Sequence, residues 1–208
     1  MKDLFHGFKR VCLLTISFLV ICGLIYPLVL TGIAQVIFPK QANGSLIEVN
    51  GEVVGTELMG QDFNEPYFLK CRPSAVNYNT YTQEEKDNGD YAGVSSGSNN
   101  YAPTNPELAK RVEQDIQDFL ASNPTVAMDQ IPTDLLTASG SGLDPHISVE
   151  SAKIQLASVA EASGLSMDTL NQIVEHNTTD KVLGIFGEKY VNVIKVNLEI
   201  AKEMGLLK

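Results

Sequence analysis

The chain has 208 residues, and its 15 Lys and Arg against 25 Asp and Glu give a net charge of −10. The charge is unevenly divided: residues 1–40 hold four basic residues and one acid (+3), and residues 41–208 hold eleven and twenty-four (−13). An acidic surface repels phosphate backbones and argues against nucleic acid as a partner, and the three cysteines, two of them in an apolar run, cannot staple an outer domain with disulfides.

That apolar run, Val11 to Phe38, has 28 positions without Asp, Glu, Lys, Arg or His. At about 1.5 Å per residue a helix of this length reaches ~42 Å, beyond the ~30 Å of a bilayer core. Gly32-Ile33-Ala34 could pass for a signal-peptide cleavage site, but the run exceeds the roughly 7–15 residues of a signal's apolar region. Lys2, Lys9 and Arg10 precede the span and only Lys40 lies close behind it, which sets the N-terminus in the cytoplasm. The expected organisation is a cytoplasmic N-terminus (1–10), a transmembrane helix with its juxtamembrane segment (11–38) and an extracytoplasmic domain (39–208). Pro27 removes a backbone donor and crowds the preceding turn, so a kink is expected there, tolerated against neighbouring helices.

Beyond the span, Leu46–Val49 and Glu52–Val54 flank Asn50-Gly51, a pair suited to a two-residue hairpin turn. Residues 60–105 are poor in aliphatics and read as a long loop, functional or mobile. Asn105 caps and Pro106 opens a helix with Leu108, Val112, Ile116 and Leu120 on one stripe. Leu135 and Leu136 are expected in a short strand. Ser148 caps a helix that turns Val149, Ala152, Leu156, Val159 and Ala160 inward and stops at Gly164. Ser166 starts another, with Leu170, Ile173 and Val174 inward. Tyr190 to Val196 alternates like a late strand, and a last helix runs to Met204. The outer domain is therefore expected to be α+β, preceded by a single transmembrane α-helix.

The chain lacks a phosphate-binding loop, an H-E-x-x-H zinc motif, a Cys-x-x-Cys pair and a G-x-S-x-G elbow. No residue is nominated as catalytic or metal-binding. The densest polar run is Thr137 to Ser148, with Ser139, Ser141, Asp144 and His146. Ser141 beside Asp144 and His146 would make a hydrolytic triad, but residues so close in sequence rarely reach that geometry. A nest of backbone donors holding an anion at a helix N-terminus is a second reading. The favoured one is a tight loop whose Asp and Ser cap backbone groups. Arg72 and Ser74, with Asn77-Tyr78-Asn79, form another polar cluster able to anchor a loop or grip a partner. Gln61, Asn99 and Asn105 complete the candidate partner-interface or loop residues.

Taken together, these segments resemble the C subunit of the bacterial potassium-transporting ATPase, the KdpC family. The words that carry the resemblance are Leu30-Thr31-Gly32-Ile33-Ala34-Gln35 with Phe38-Pro39, Ala42-Asn43-Gly44-Ser45-Leu46, Gly60-Gln61 with Phe63 and Tyr67-Phe68, and Arg72-Pro73-Ser74-Ala75. Ser96-Gly97-Ser98-Asn99, Asn105-Pro106, the run Asp134 to Ser148, and Gly187-Glu188 with Val191-Asn192-Val193 follow in order. Departures are local: Cys71 stands where a small residue is expected, and Tyr81 to Tyr91 looks like an insertion. The resemblance implies a single-pass subunit of the bacterial inner membrane in a high-affinity potassium uptake pump. Its partners would be a channel-like potassium-translocating subunit and a P-type ATPase subunit. Hydrolysis, and the ATP bound by the complex, would belong to those partners, with no cofactor held by this chain. Its own task would be to support assembly or to raise the ATPase subunit's ATP affinity as a catalytic chaperone. The alternative is a membrane-tethered extracytoplasmic binding module for a cation or small ligand.

Overall fold

In the computed structural model, which describes residues 2–89 and 93–207, the apolar N-terminal run is helical from end to end. Helix α1 covers Lys2–Val20, a π-helical turn covers Ile21–Ile25, and α2 covers Tyr26–Ile37. In the wide turn the Tyr26 N–H reaches the Ile21 carbonyl, five residues back. Pro27, at the start of α2, has no N–H for the carbonyl four residues before it, and the helix passes the proline by taking one extra residue into the preceding turn. Phe5–Ile37 is, among the described residues, the one helix long and apolar enough to cross a membrane. Its large side chains, among them Phe18, Leu24 and Ile33, are exposed, an arrangement suited to hydrocarbon rather than water. A short helix α3 (Pro39–Ala42) follows, and the side-chain amides of Gln35 and Asn43 bond to each other at 3.1 and 3.2 Å.

The chain divides between Ile47 and Glu48 into this helical unit and a globular one. At the boundary β1 (Leu46–Val49) and β2 (Glu52–Thr56) form the expected hairpin, with Asn50 and Gly51 at φ 55° and 82°. Residues 57–89 and 93–105 are mostly irregular, with a one-turn helix α4 (Gln83–Asp87) opened by a Thr82–Glu85 capping box. Of the expected 81–91 insertion, Asp90 and Tyr91 lie outside the described residues.

Helix α5 (Pro106–Ser122) starts where Asn105 accepts from the Glu107 N–H, and its Ile116, Phe119 and Leu120 pack against the core. Strand β3 (His146–Ile147) leads into α6 (Val149–Ser163), capped by Ser148 and closed by Gly164 at φ 72°. Helix α7 (Met167–His176), strands β4 (Thr178–Thr179) and β5 (Tyr190–Asn192), and α8 (Val193–Glu203) complete the unit. The strands make an antiparallel sheet in the order β3-β5-β4, with Ile147 and Thr178 both opposite Val191. Around Val191 the core gathers Ala152, Leu156 and Val159 from α6, Leu170 and Val174 from α7, and Val193, Val196 and Ile200 from α8. Each large aliphatic side chain so buried contributes about 1.5–3 kcal/mol. The outcome is an α+β unit following a single apolar helix.

Two expectations are corrected. Leu135 and Leu136 are not in a strand: Thr133–Leu135 forms a 3₁₀ turn, because the Asp134 carboxylate is drawn to the start of α6, where it accepts from the Ser148 N–H (2.7 Å) and the Ser151 hydroxyl (2.5 Å). The late strand ends at Asn192 rather than Val196. The Asn192 side chain accepts from the Lys195 N–H and caps α8, so Val193, Ile194 and Val196 are buried from a helix.

Candidate functional site

Two buried amides fix the long loop to the helices. Asn197 of α8 accepts from the Leu69 N–H at 2.8 Å and donates to the Leu69 carbonyl at 2.9 Å. Gln155 of α6 does the same for the next residue, accepting from the Lys70 N–H at 2.8 Å and donating to its carbonyl at 3.3 Å. Each side chain supplies what a neighbouring strand would. Leu69 fills the core with Cys71 packed against it, and the chain emerges at Arg72 with its course set.

From there three loops converge. Arg72 reaches the Asp144 carboxylate at 3.1 Å and the Thr137 carbonyl at 3.3 Å. Ser74 donates to the Gly142 carbonyl at 2.6 Å, and its oxygen accepts from the N–H groups of Val76 and Tyr78. Asn77, Tyr78 and Asn79 all take positive φ, at 46°, 49° and 55°. Asn tolerates that region and Tyr does not, so the turn stands because the Tyr78 hydroxyl is tied to the Arg72 carbonyl at 2.6 Å and Asn79 is tied to both backbone groups of Ser95. The third loop arrives through Gly97 and Ser96, which both donate to the Ser141 carbonyl. Gly142 sits at the crossing with φ 68°; a Cβ there would meet Val76 Cγ2 at 2.6 Å and the Gly97 carbonyl at 2.8 Å.

The electrostatics centre on Asp144. Burial opposes its ionisation, but hydrogen bonds from the His146 side chain and backbone and from Arg72 outweigh that and hold the carboxyl below its ordinary range. The His146 ring also lies 4.3 Å from that of Tyr190. Burial pushes the Cys71 thiol up to about 12, against the Gln61 backbone and Tyr78, and burial likewise raises the Tyr78 phenol.

Arg72, Ser74, Ser141, Asp144 and His146 are therefore brought into one network. Ser139 joins through its N–H to the Pro73 carbonyl, and its buried hydroxyl is the one side-chain polar atom of its kind left unpartnered among the described residues. Ser141 and His146 have separate partners: the Ser141 hydroxyl accepts from the Leu143 N–H and its carbonyl from Gly97 and Ser96, whereas His146 bonds to Asp144 and Asn192. The anion-nest reading does not hold, since the start of α6 is occupied by the chain's own Asp134. Gln61 lies alongside, its side chain donating to the Val54 carbonyl at 2.9 Å. Asn105 is apart, spent on the cap of α5. Asn99 lines a neighbouring cleft of about 560 Å³, part polar and part apolar, with Ser74, Tyr101, Leu108, Arg111 and Asp115. Among the described residues no three His, Cys, Asp or Glu converge as a metal site. Such a set of cross-bonded loops can present a fixed surface. Sequence reasoning missed the structural weight of Tyr78, Gly142 and Asp134. The asparagines flanking Tyr78 were the available signal for a left-handed turn.

Comparison with known proteins places this architecture. The family model described as "KdpC: K+-transporting ATPase, c chain" matches residues 8–202. A protein of Clostridium kluyveri named Potassium-transporting ATPase KdpC subunit is 63% identical over 99% of this chain and 98% of its own length. Proteins of the same name from Clostridioides difficile (59% identical, 96% of this chain and 98% of the relative) and Caldanaerobacter subterraneus subsp. tengcongensis (44%, 94% and 95%) are similar throughout. With an apolar helix, an α+β unit and a family match spanning nearly all of it, the chain belongs to the KdpC family, the c chain of K+-transporting ATPases.

Proposed function

We propose that the chain is a non-catalytic accessory subunit of an ATP-driven, high-affinity potassium pump, holding a channel-like potassium-translocating subunit and a P-type ATPase subunit in one assembly. The observation that carries this reading is family membership over residues 8–202. The loop network supports it, because its candidate residues bond to one another rather than frame a reaction centre. The helix Phe5–Ile37 serves as the membrane anchor, with the basic N-terminal flank inside and the acidic unit outside. In that orientation the globular unit does not meet cytoplasmic ATP. A rise in the ATPase subunit's affinity is then a coupling between states carried through the membrane subunits, and ATP belongs to the complex. The net negative charge of the outer unit enriches cations near the potassium entrance only modestly, since screening acts over about 8 Å at physiological ionic strength.

A tethered binding module for a cation or small ligand is the second reading, favoured by the cleft beside Asn99. Extraction of native membranes in mild detergent separates the two: the subunit travels with other polypeptides, and the module travels alone. Deleting residues 41–208 while keeping the helix is expected to abolish assembly or high-affinity uptake, and normal uptake by that truncated chain refutes the proposal. A Leu206→Cys reporter in a background without Cys12, Cys22 and Cys71 is expected to label from outside intact cells. Labelling only after lysis would reverse the orientation.

A further inference from the structure

The connection between β4 and β5 is built unlike a solvent loop. Its tip, Val182-Leu183-Gly184-Ile185-Phe186, is four-fifths large and apolar. The four side chains are 66%, 84%, 76% and 64% exposed, in that order. A loop facing water is normally written in Asn, Asp, Ser and Gly, and a contiguous apolar patch on an otherwise charged unit marks an interaction site.

The backbone of the tip is also bonded to itself. Val182 and Phe186 exchange both backbone hydrogen bonds, at 2.8 and 3.0 Å, and Gly184 and Ile185 donate back to Lys181 and Val182. Leu183 and Gly184 carry the turn at φ 54° and 74°. A turn whose backbone groups are already paired loses little entropy when it is buried, and this is what preorganises a binding element.

The rim identifies the partner's chemistry. Lys181 pairs with Glu188 at 2.9 Å and Lys189 with Asp180 at 2.7 Å. The collar thus holds two cations and two anions, already matched, around an uncharged centre. Protein interfaces share this layout, with charge depleted at the core and polar groups at the rim. Elements that dip into lipid instead carry surplus Lys or Arg for anionic headgroups, and this collar has none to spare in a unit whose charge, from residue 41 onward, is −13.

We infer that the Val182–Phe186 tip docks into an apolar, uncharged groove on another polypeptide of the same complex. This rests on the subunit reading above and adds a contact point to it. Because the collar is neutral, the contact resists salt, unlike one made by the acidic surface.

The test uses the full chain expressed with the rest of its complex. A photo-crosslinking amino acid at Leu183 or Ile185, activated in intact membranes, is expected to give a product heavier by one polypeptide. Lipid adducts alone, or no adduct, overturn the inference. Leu183→Asn with Ile185→Ser is expected to lower the partner retained after detergent extraction by at least about tenfold, the scale of a hot-spot loss. The thermal unfolding of that variant should match wild type, since both side chains are exposed. Retention of the wild-type chain is expected to change by less than about twofold between low and high salt. If the double variant holds its partners as wild type does, the tip inference fails and the subunit reading stands. If the wild-type chain itself extracts alone, both fall.

Discussion

Replacing Asn197 by Ala tests whether the long loop is held by side-chain amides. Asn197 is 1% exposed and Leu69 is 0% exposed, so water does not replace what the substitution removes. The Leu69 N–H and carbonyl, now bonded at 2.8 and 2.9 Å, would both be orphaned. A buried unsatisfied group costs about 1–3 kcal/mol; two groups, with a small cavity added, put the loss near 3–4 kcal/mol. Domains of this kind have about 5–15 kcal/mol in all, so the globular unit would be weakened and still folded. Urea denaturation of the full chain in mild detergent, followed by far-ultraviolet circular dichroism, reads this directly, because the membrane helix stays helical and the lost signal comes from the globular unit. With a slope near 2 kcal/mol per molar, the midpoint should fall by about 1.5–2 M. Proteolysis between residues 57 and 68 should accelerate alongside. Asn197→Asp keeps the acceptor and loses the donor; burial favours its protonated form, which can donate again, so its deficit should narrow as pH falls. A midpoint shift below about 0.5 M for Asn197→Ala would refute the claim that these two bonds hold the loop.

Asp144 carries a pH signature. Its folded pKa lies below the unfolded value of ~3.9, so its stabilisation is present above that pH and is lost as pH falls through the folded pKa. Urea midpoints of wild type and Asp144→Asn should therefore differ at neutral pH and converge in acid. Arg72→Ala should cost about 1–2 kcal/mol and loosen residues 72–79 and 137–146 in hydrogen exchange, since its pair with Asp144 is only 26% exposed on either side. Cys71, with its thiol at about 12, should resist maleimide at pH 7.5 until the chain is unfolded; stoichiometric labelling of the native protein within minutes would contradict its burial.

What the sequence disclosed was local. Asn50-Gly51, the serines at 148 and 166, Asn105 and Gly164 act within four residues of themselves, and each sits where the turn and cap rules put it. The α8 boundary was hidden because its buried face, Val193, Val196, Asn197 and Ile200, includes an asparagine, and a polar residue at helical spacing reads as surface. The same concealment covered Gln155. The 3₁₀ turn at Thr133–Leu135 depended on where Asp134 found donors, at Ser148 and Ser151, a contact no periodicity encodes. The candidate loops were recognisable by composition and by resemblance. Their meeting was not: Ser74 to Gly142 and Ser96 to Ser141 span 68 and 45 residues, and only the packed core beneath brings them together.

The wide turn at Ile21–Ile25 has a directional consequence. One additional residue in a helix of 3.6 per turn rotates everything beyond it by about 100°. A ridge of side chains climbing α1 therefore does not continue along α2; it resumes a quarter-circle or more around the axis. A straight neighbouring helix that meshes with one half will find a different row of side chains on the other. The span is addressed as two short segments with separate azimuths, and substitutions in residues 5–20 and in residues 26–37 should disturb different neighbours.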